Sequence, residues 1–135
     1  MPRSPDPRQA LGRRGEDIAL AHLGALGATL IERNHRTRAG EIDLIVHLDR
    51  ALVFVEVKTR RVRANNGRPA AGPPPEVPLL GLHDAQRRRL RRLAVAWLAE
   101  RSERPRAAEL RFDAIGVLID ERDRLVRLDH LVGAL

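Results

Sequence analysis

Cysteine and tyrosine are absent from this chain of 135 residues, which contains two phenylalanines and one tryptophan. Without cysteine the chain cannot form disulfides, thiolate metal sites or a cysteine nucleophile. The few aromatic rings argue against a stacking platform for single-stranded nucleic acid and favour recognition of backbone or shape. No stretch has the length and low charge of a membrane span or the pattern of a signal peptide, so we expect a cytoplasmic location and no membrane partner.

Lysine is almost absent as well, although the chain is strongly basic. Of the 25 lysine and arginine residues only one, Lys58, is a lysine, and the net charge is +7. An excess of positive charge favours polyanionic partners such as nucleic acids. A lysine ammonium is a compact point charge that suits catalytic roles which a guanidinium does not fill. The setting of Lys58 is therefore the strongest clue to function in the sequence.

The apolar pattern predicts one α/β domain over residues 1–135 with the element order α-β-β-β-α-β-β. Asp6 and Pro7 form a helix start signal, and Gly27 is typical of a C-terminal glycine cap. The predicted elements are helices over 8–26 and 84–101 and strands over 28–37, 41–48, 52–58, 109–119 and 124–128, with an amphipathic tail from Asp129. Residues 62–81 hold five of the nine prolines, which predicts a long, mobile loop there.

The predicted hairpin gathers charged side chains at its open end. A two-residue turn at positions 49–50 pairs Asp43 with Glu56 and Glu41 with Lys58. Directly opposed residues, and residues two apart on one strand, share a face of the sheet. Opposed carboxylates destabilise a sheet, so their presence needs a reason other than stability.

Two carboxylates at this spacing, together with a neighbouring backbone carbonyl, form a hard oxygen site that suits Mg²⁺ or Mn²⁺. Such a cation polarises a phosphoryl oxygen and activates water, while an adjacent lysine orients that water or balances charge. This combination is typical of a phosphodiester hydrolase. The alternative is a structural ion-pair network in which Lys58 neutralises Glu41 and Glu56 and Asp43 lies at a solvated strand end.

Four motifs occur in order along the chain: Gly15–Glu16, Gly40–Ile45, Phe54–Arg60 and Arg111–Asp113. Together they resemble the YraN family of predicted bacterial endonucleases. That family is similar to the archaeal Holliday-junction resolvases of the PD-(D/E)XK nuclease superfamily. The resemblance implies a restriction-endonuclease-like αβββαβ core, with a mixed sheet flanked by helices.

The resemblance also implies roles for individual residues. Asp43 and Glu56 would bind the metal with the carbonyl of Val57, and Lys58 would act on the water. Glu16 would reach the same site from the first helix; the alternative is a solvated helix carboxylate. Glu41 would either join the catalytic group or hold Lys58.

Three positions need separate comment. Asp113 is expected to have a structural role. Ile42 replaces the proline of the superfamily name, and Gln86 stands where YraN-like sequences usually carry a lysine, so the role of that position is open.

We therefore expect a Mg²⁺- or Mn²⁺-dependent endonuclease acting on structured or branched DNA. The alternatives are a non-catalytic nucleic-acid-binding protein on the same fold and a basic interaction module of a larger complex. The expected DNA contacts flank the cluster in sequence, and the run Arg87–Arg92 is either a further contact or a solvated helix face. These flanking residues are Arg13, Arg14, Arg36, Arg38, Arg60 and Arg61. The sequence does not decide between a monomer and a homodimer.

Overall fold

The structure is a computed structural model of the chain, and it describes residues 6–65, 68–69, 84–101, 103 and 106–133. The described elements are α1 (Pro7–Ala25), β1 (Thr29–Thr37), β2 (Gly40–Leu48), β3 (Ala51–Arg61), β4 (Ala64–Asn65), β5 (Arg68–Pro69), α2 (Asp84–Glu100), β6 (Glu109–Ile119) and β7 (Leu125–Leu131). In the part of the chain that the structure describes, no helix is long and apolar enough to cross a membrane.

Helix α1 begins and ends at the predicted signals. The Asp6 side chain accepts a hydrogen bond from the amide of Arg8 at 3.0 Å, and Pro7 is the first helical residue. At the other end Gly27 has a φ of 99°, and the amide of Ala28 donates to the carbonyl of Leu23 at 3.0 Å. This arrangement satisfies carbonyl groups that the last helical turn would leave without partners.

The larger sheet has five strands in the order β1-β2-β3-β6-β7. Strands β3 and β6 are parallel, and the other neighbouring pairs are antiparallel. The connection from β3 to β6 contains α2, because a parallel pair needs a crossover longer than a hairpin turn. The result is a mixed-sheet α/β architecture consistent with the αβββαβ core that the sequence predicts.

The three inner strands β2, β3 and β6 are buried on both faces over much of their length. On one face Ala19 and Leu23 of α1 pack against a cluster that includes Val53 and Ile115. On the other face Leu90, Leu93 and Trp97 of α2 pack with Phe54. Strand β3 supplies side chains to both clusters, which explains its nearly continuous apolar sequence and its central place.

The turn between β2 and β3 has the predicted register. Asp49 and Arg50 have φ values of 51° and 65°, as a two-residue type I′ hairpin requires. The ladder then runs from Leu48↔Ala51 to Leu44↔Val55. The predicted pairs Asp43 with Glu56 and Glu41 with Lys58 lie beyond this ladder and do not form, because the regular alternation of β2 ends between Leu44, which packs on the α1 side, and Ile42, which packs on the α2 side.

Two segments differ from the sequence prediction. Strand β7 continues through Asp129 to Leu131, where an amphipathic tail was predicted. It continues because Asp129 and His130 pair with Gly116 and Ile115 of β6. Within the predicted loop 62–81, β4 and β5 form a short antiparallel ladder, and most of the remaining positions lie outside the described residues.

Asp113 is a structural residue, as expected, and it connects β6 to the end of β7. Its fully buried carboxylate accepts hydrogen bonds from Arg111 at 3.0 Å, from His130 at 2.8 Å and from the amide of Gly133 at 2.9 Å. Burial by itself would raise the pKa of Asp113, but these hydrogen bonds outweigh it and hold the pKa below its usual value. His130 also contacts His22 of α1 at 3.0 Å, so the network connects β7 to the first helix.

We expect Asp113→Ala to lower the free energy of unfolding by about 3 kcal/mol, because it leaves a partly buried guanidinium without its carboxylate. Denaturant unfolding of the purified variant measures the loss. Asp84→Ala is the control, since this carboxylate is 82% exposed and lies 3.8 Å from Arg87; it should cost less than about 1 kcal/mol. Equal losses in the two variants would contradict the role given to Asp113.

Candidate functional site

The candidate site lies where β2 and β3 separate, next to the last pair of their ladder. The last pair of the ladder is Leu44↔Val55, and Asp43 is the first residue of β2 beyond it. The carboxylate of Asp43 accepts a hydrogen bond from the amide of Val57 at 2.8 Å. A strand residue directs its N–H and C=O toward the same neighbouring strand. The carbonyl of Val57 therefore faces the same opening as the carboxylate of Asp43.

Two further carboxylates reach this opening from the α1 side. One oxygen each of Glu16, Glu41 and Asp43 lie within 4.8 Å of one another, and Glu16 is buried. With its amide nitrogen facing the carboxylates, Asn34 of β1 lies 2.8 Å from oxygens of both Glu16 and Glu41. Helix α1 therefore brings Glu16 to the hairpin, as the sequence resemblance implies.

Glu56 and Lys58 lie on β3 beside the same opening. Val55 and Val57 pack with the α1-side core and Phe54 with the α2-side core. Alternation along the strand then places Glu56 and Lys58 on the α2 side, whereas Glu16 and Glu41 lie on the α1 side, so the single face predicted for all four charged hairpin residues is not formed. Lys58 Nζ is 3.2 Å from Glu56 Oε1, so the lysine is held at the site by a carboxylate.

The charges at the site are only partly balanced. Arg33 lies 3.6 Å from Glu16, and Arg36 lies 3.5 Å from Glu41. Among the described residues no cation pairs with Asp43, whose hydrogen-bond donor is the Val57 amide. The alternative prediction of an ion-pair network is met in part, because Lys58 pairs with Glu56, but Glu41 pairs with Arg36 instead of Lys58, and Asp43 is partly buried and accepts a backbone amide instead of lying at a solvated strand end.

The electrostatics follow from this crowding. Burial raises the pKa of Asp43 to about 8, and the charges of Glu56, Glu16 and Glu41 add to the effect, although the Val57 hydrogen bond opposes it. Burial also raises the pKa of Glu16, against the attraction of Arg33. A proton or a metal cation would relieve the repulsion between these groups.

The donor set fits a hard divalent cation. Oxygen ligands on opposite sides of Mg²⁺ or a larger cation such as Ca²⁺ are about 4 to 5 Å apart. Asp43 belongs both to the group formed with Glu16 and Glu41 and to the predicted group with Glu56 and Val57. Asp43 is therefore the side chain around which either ligand set must be built.

The predicted DNA-contacting arginines occupy different settings. Arg36 pairs with Glu41, and Arg61 contacts Asp123 at 2.6 Å. Arg13 and Arg14 line a groove along α1. Arg38 lies at the β1–β2 turn and lines a second groove with residues of α2.

Two further predicted positions lie outside these grooves. Arg60 follows the site on β3 and is exposed, and Gln86 lies in the first turn of α2.

Two residues at the site were not identified from the sequence. Asn34 has a φ of 55° in the middle of β1, between the pairs Arg33↔Leu44 and His35↔Ile42. Asparagine tolerates this conformation better than most residues, so an asparagine inside a strand pattern was the available signal. Arg33 contacts both Glu16 and Asp17 of α1, and nothing in the sequence spacing indicated these pairs.

The chain is similar to proteins of one named family. The model of the uncharacterised protein family UPF0102 matches residues 15–117. A UPF0102 protein of Mycobacterium sp. (strain KMS) is 45% identical over 128 residues, covering 93% of this chain and 85% of the relative. One from Parafrankia sp. (strain EAN1pec) is 44% identical and covers 93% and 96%, and one from Streptomyces griseus is 44% identical and covers 85% and 87%.

The raised pKa of Asp43 predicts a specific pH dependence of the metal-free protein. Between its ordinary pKa of 3.8 and about 8 the folded chain keeps a proton that the unfolded chain releases, so this group makes folding less favourable as the pH rises. Asp43→Asn should remove this contribution and raise the free energy of unfolding at about pH 8 by about 1 to 3 kcal/mol.

Denaturant unfolding in EDTA, from about pH 5 to about pH 8, measures the difference between the variant and the parent. Asp84→Asn is the control, because it removes a carboxylate at the start of α2 that is 82% exposed and pairs with Arg87 outside the site. If the curves of Asp43→Asn and the parent run parallel across this range, the carboxyl of Asp43 does not titrate as described.

Proposed function

The chain belongs to the UPF0102 family, the YraN family of the sequence resemblance, and we propose that it is a metal-dependent nuclease. In this proposal it hydrolyses phosphodiester bonds of DNA, with structured or branched DNA as the substrate class. The α/β fold with its mixed sheet is compatible with this function, and the site is the carboxylate group at the separation of β2 and β3.

The partly buried carboxyl of Asp43, crowded by other carboxylates, is the observation that carries the proposal. It has a raised pKa, three neighbouring carboxylates and, among the described residues, no cationic partner. A group of this kind makes the metal-free fold less stable, and perturbed carboxyls of this type cluster at functional sites. Binding of a cation explains why these carboxylates lie together, whereas folding stability alone does not.

The chain's own residues divide the work in this proposal. Asp43, Glu56 and the carbonyl of Val57 would hold Mg²⁺ or Mn²⁺, with Glu16 and Glu41 next to it. When bound, the cation would polarise a phosphoryl oxygen and make a bound water more acidic. Lys58, held by Glu56 at 3.2 Å, would orient the attacking water or balance charge that develops on the phosphate.

The basic surface supports DNA as the partner. Arg13 and Arg14 on α1, and Arg38 at the β1–β2 turn, line grooves on the two sides of the hairpin. Phe54 and Trp97 are buried in the core, so the rings of these two residues are not offered to bases. This combination favours contact with the phosphate backbone. Because these surfaces do not depend on the carboxylates, non-catalytic DNA binding is the second candidate function.

Substitutions at the carboxylate group separate these two functions. Asp43→Ala and Glu56→Ala should each lower cleavage by at least about 100-fold, because a cation supplies several kcal/mol of transition-state stabilisation. DNA affinity should stay equal or rise, since a carboxylate that repels phosphate is removed. Lys58→Ala should lose cleavage with cation binding retained, and Lys58→Arg should not restore it.

The assay uses linear, single-stranded, flapped and four-way DNA with Mg²⁺, Mn²⁺ or EDTA. Cleavage and DNA affinity are measured on the same preparations, with Glu109→Gln as the carboxylate control, because Glu109 is exposed at the start of β6 and has no place in the site or the grooves. If Asp43→Ala cleaves as well as the parent, the catalytic role of the group is wrong.

DNA binding itself should depend steeply on salt. If arginines neutralise phosphates, log affinity for duplex DNA should fall against log salt concentration with a slope of about −0.9 per phosphate contacted. Fluorescence anisotropy in EDTA measures binding without cleavage. An affinity that is constant from low to moderate salt would defeat the nucleic-acid proposal.

A further inference from the structure

The arginines of the run Arg87–Arg92 on α2 do not share one role. Arg87 lies 3.8 Å from Asp84 on the same helix, and Arg91 lies over the ring of Phe112 with 5.7 Å between guanidinium and ring centre. Arg89 and Arg92 instead line a groove together with Arg38 of the β1–β2 turn. The structure therefore selects two of the five arginines of this run.

We call the space between the turn and the helix the α2 groove; it has a volume of about 340 Å³. Arg89, Arg92 and Ala96 recur at helical spacing and form one wall, while Leu93 forms part of the floor. Arg38 faces them from the turn. Such a groove presents charged heads above an apolar base, as arginine side chains do when their stems pack on apolar surface.

The turn and the helix that form the α2 groove are held in contact. A Cβ atom on Gly40 would lie 3.3 Å from side-chain atoms of both Arg89 and Leu93, and Gly40 has a φ of 143°. The hydroxyl of Thr37 donates to the carbonyl of Gly40 and accepts from the amide of Ala39, both at 3.1 Å. The groove is therefore formed by a fixed turn that packs closely on α2.

The guanidinium groups of the α2 groove form no ion pairs within the part of the chain that the structure describes. Among the described residues, no carboxylate pairs with Arg38, Arg89 or Arg92, in contrast to Arg33 and Arg36, which pair with Glu16 and Glu41. A single carboxylate, Glu100, lines the groove two helical turns beyond Arg92. The groove thus carries a net positive charge, and this charge is concentrated at the end farthest from Glu100.

We propose that the α2 groove binds a phosphate group of the DNA strand that continues to the carboxylate site, with Arg38, Arg89 and Arg92 as its contacts. Guanidinium groups match phosphate oxygens with paired hydrogen bonds, which gives the groove both affinity and orientation. Gly40, which packs next to Arg89 and Leu93, directly precedes Glu41 of the site, so the groove and the carboxylate group are joined by the same β1–β2 turn. This inference rests on the proposed function, and it assigns that function a second contact point on the substrate.

Matched substitutions test the α2 groove by affinity for duplex DNA in EDTA. Arg92→Gln should weaken binding about fivefold and reduce the magnitude of the salt slope by about 1. Arg88→Gln removes the same charge from an exposed position of the same helix outside the groove, and it should leave affinity nearly unchanged. Glu100→Gln should strengthen binding, whereas Glu109→Gln, at the exposed start of β6, should not.

Tripolyphosphate provides a probe without bases. It should compete with DNA for the parent and shift the Nε–H resonances of Arg89 and Arg92 in NMR spectra. Melting temperatures confirm that the variants are folded, and Arg92→Gln is preferred over Arg89→Gln because Arg89 packs near Gly40. Equal losses for Arg92→Gln and Arg88→Gln, or no loss for either, would overturn the groove.

The same assays separate this inference from the nuclease proposal. If Arg92→Gln weakens DNA binding more than Arg88→Gln does, but no DNA is cleaved, the α2 groove proposal is supported and the nuclease proposal is contradicted. If the parent cleaves DNA but Arg92→Gln and Arg88→Gln change DNA affinity equally, the nuclease proposal is supported and the α2 groove proposal is contradicted. A parent chain that does not bind DNA would contradict both.

Discussion

The contact between the Asp43 carboxylate and the Val57 amide, at 2.8 Å, is the constraint on which the rest of the site depends. It occupies the point where the β2–β3 ladder ends at Leu44↔Val55. In a continuous ladder that amide would face a backbone carbonyl, and the carboxylates would stand on a closed sheet. Because a side chain takes this place, an acidic oxygen lies at the opening between two central strands, and the Val57 carbonyl faces it.

The surrounding structure keeps this opening in a defined shape. Helix α1 delivers Glu16, while Asn34 and Arg33 of the edge strand hold the carboxylates that would otherwise repel each other. On the other face α2 packs against Gly40 and the core around Phe54. The carboxyl of Asp43, with its raised pKa, lies between these two layers. Packing on both faces of the sheet therefore offsets the loss of folding stability that the crowded carboxylates cause in the metal-free protein.

Much of the fold could be predicted from the sequence because its signals are local. The cap residues of α1 and the Asp49–Arg50 turn act within a few positions, and the turn sets the register of the hairpin as far as Leu44↔Val55. The separation of the strands at Asp43 and the positive φ of Asn34 could not be predicted, because they arise where three strands and α1 meet. For the same reason β7 extends past its apolar pattern: His130 is held by Asp113, which is distant in sequence.

The position of a bound ion tests the central claim most directly. Crystals of the protein soaked in Mn²⁺, with diffraction data at the manganese absorption edge, would give an anomalous peak at any ordered cation. The account predicts a peak in the opening between β2 and β3, with a carboxylate oxygen of Asp43 among the ligands at about 2.1 to 2.3 Å. An ordered ion that does not touch Asp43, or an opening that stays without an ion at saturating Mn²⁺, would contradict it.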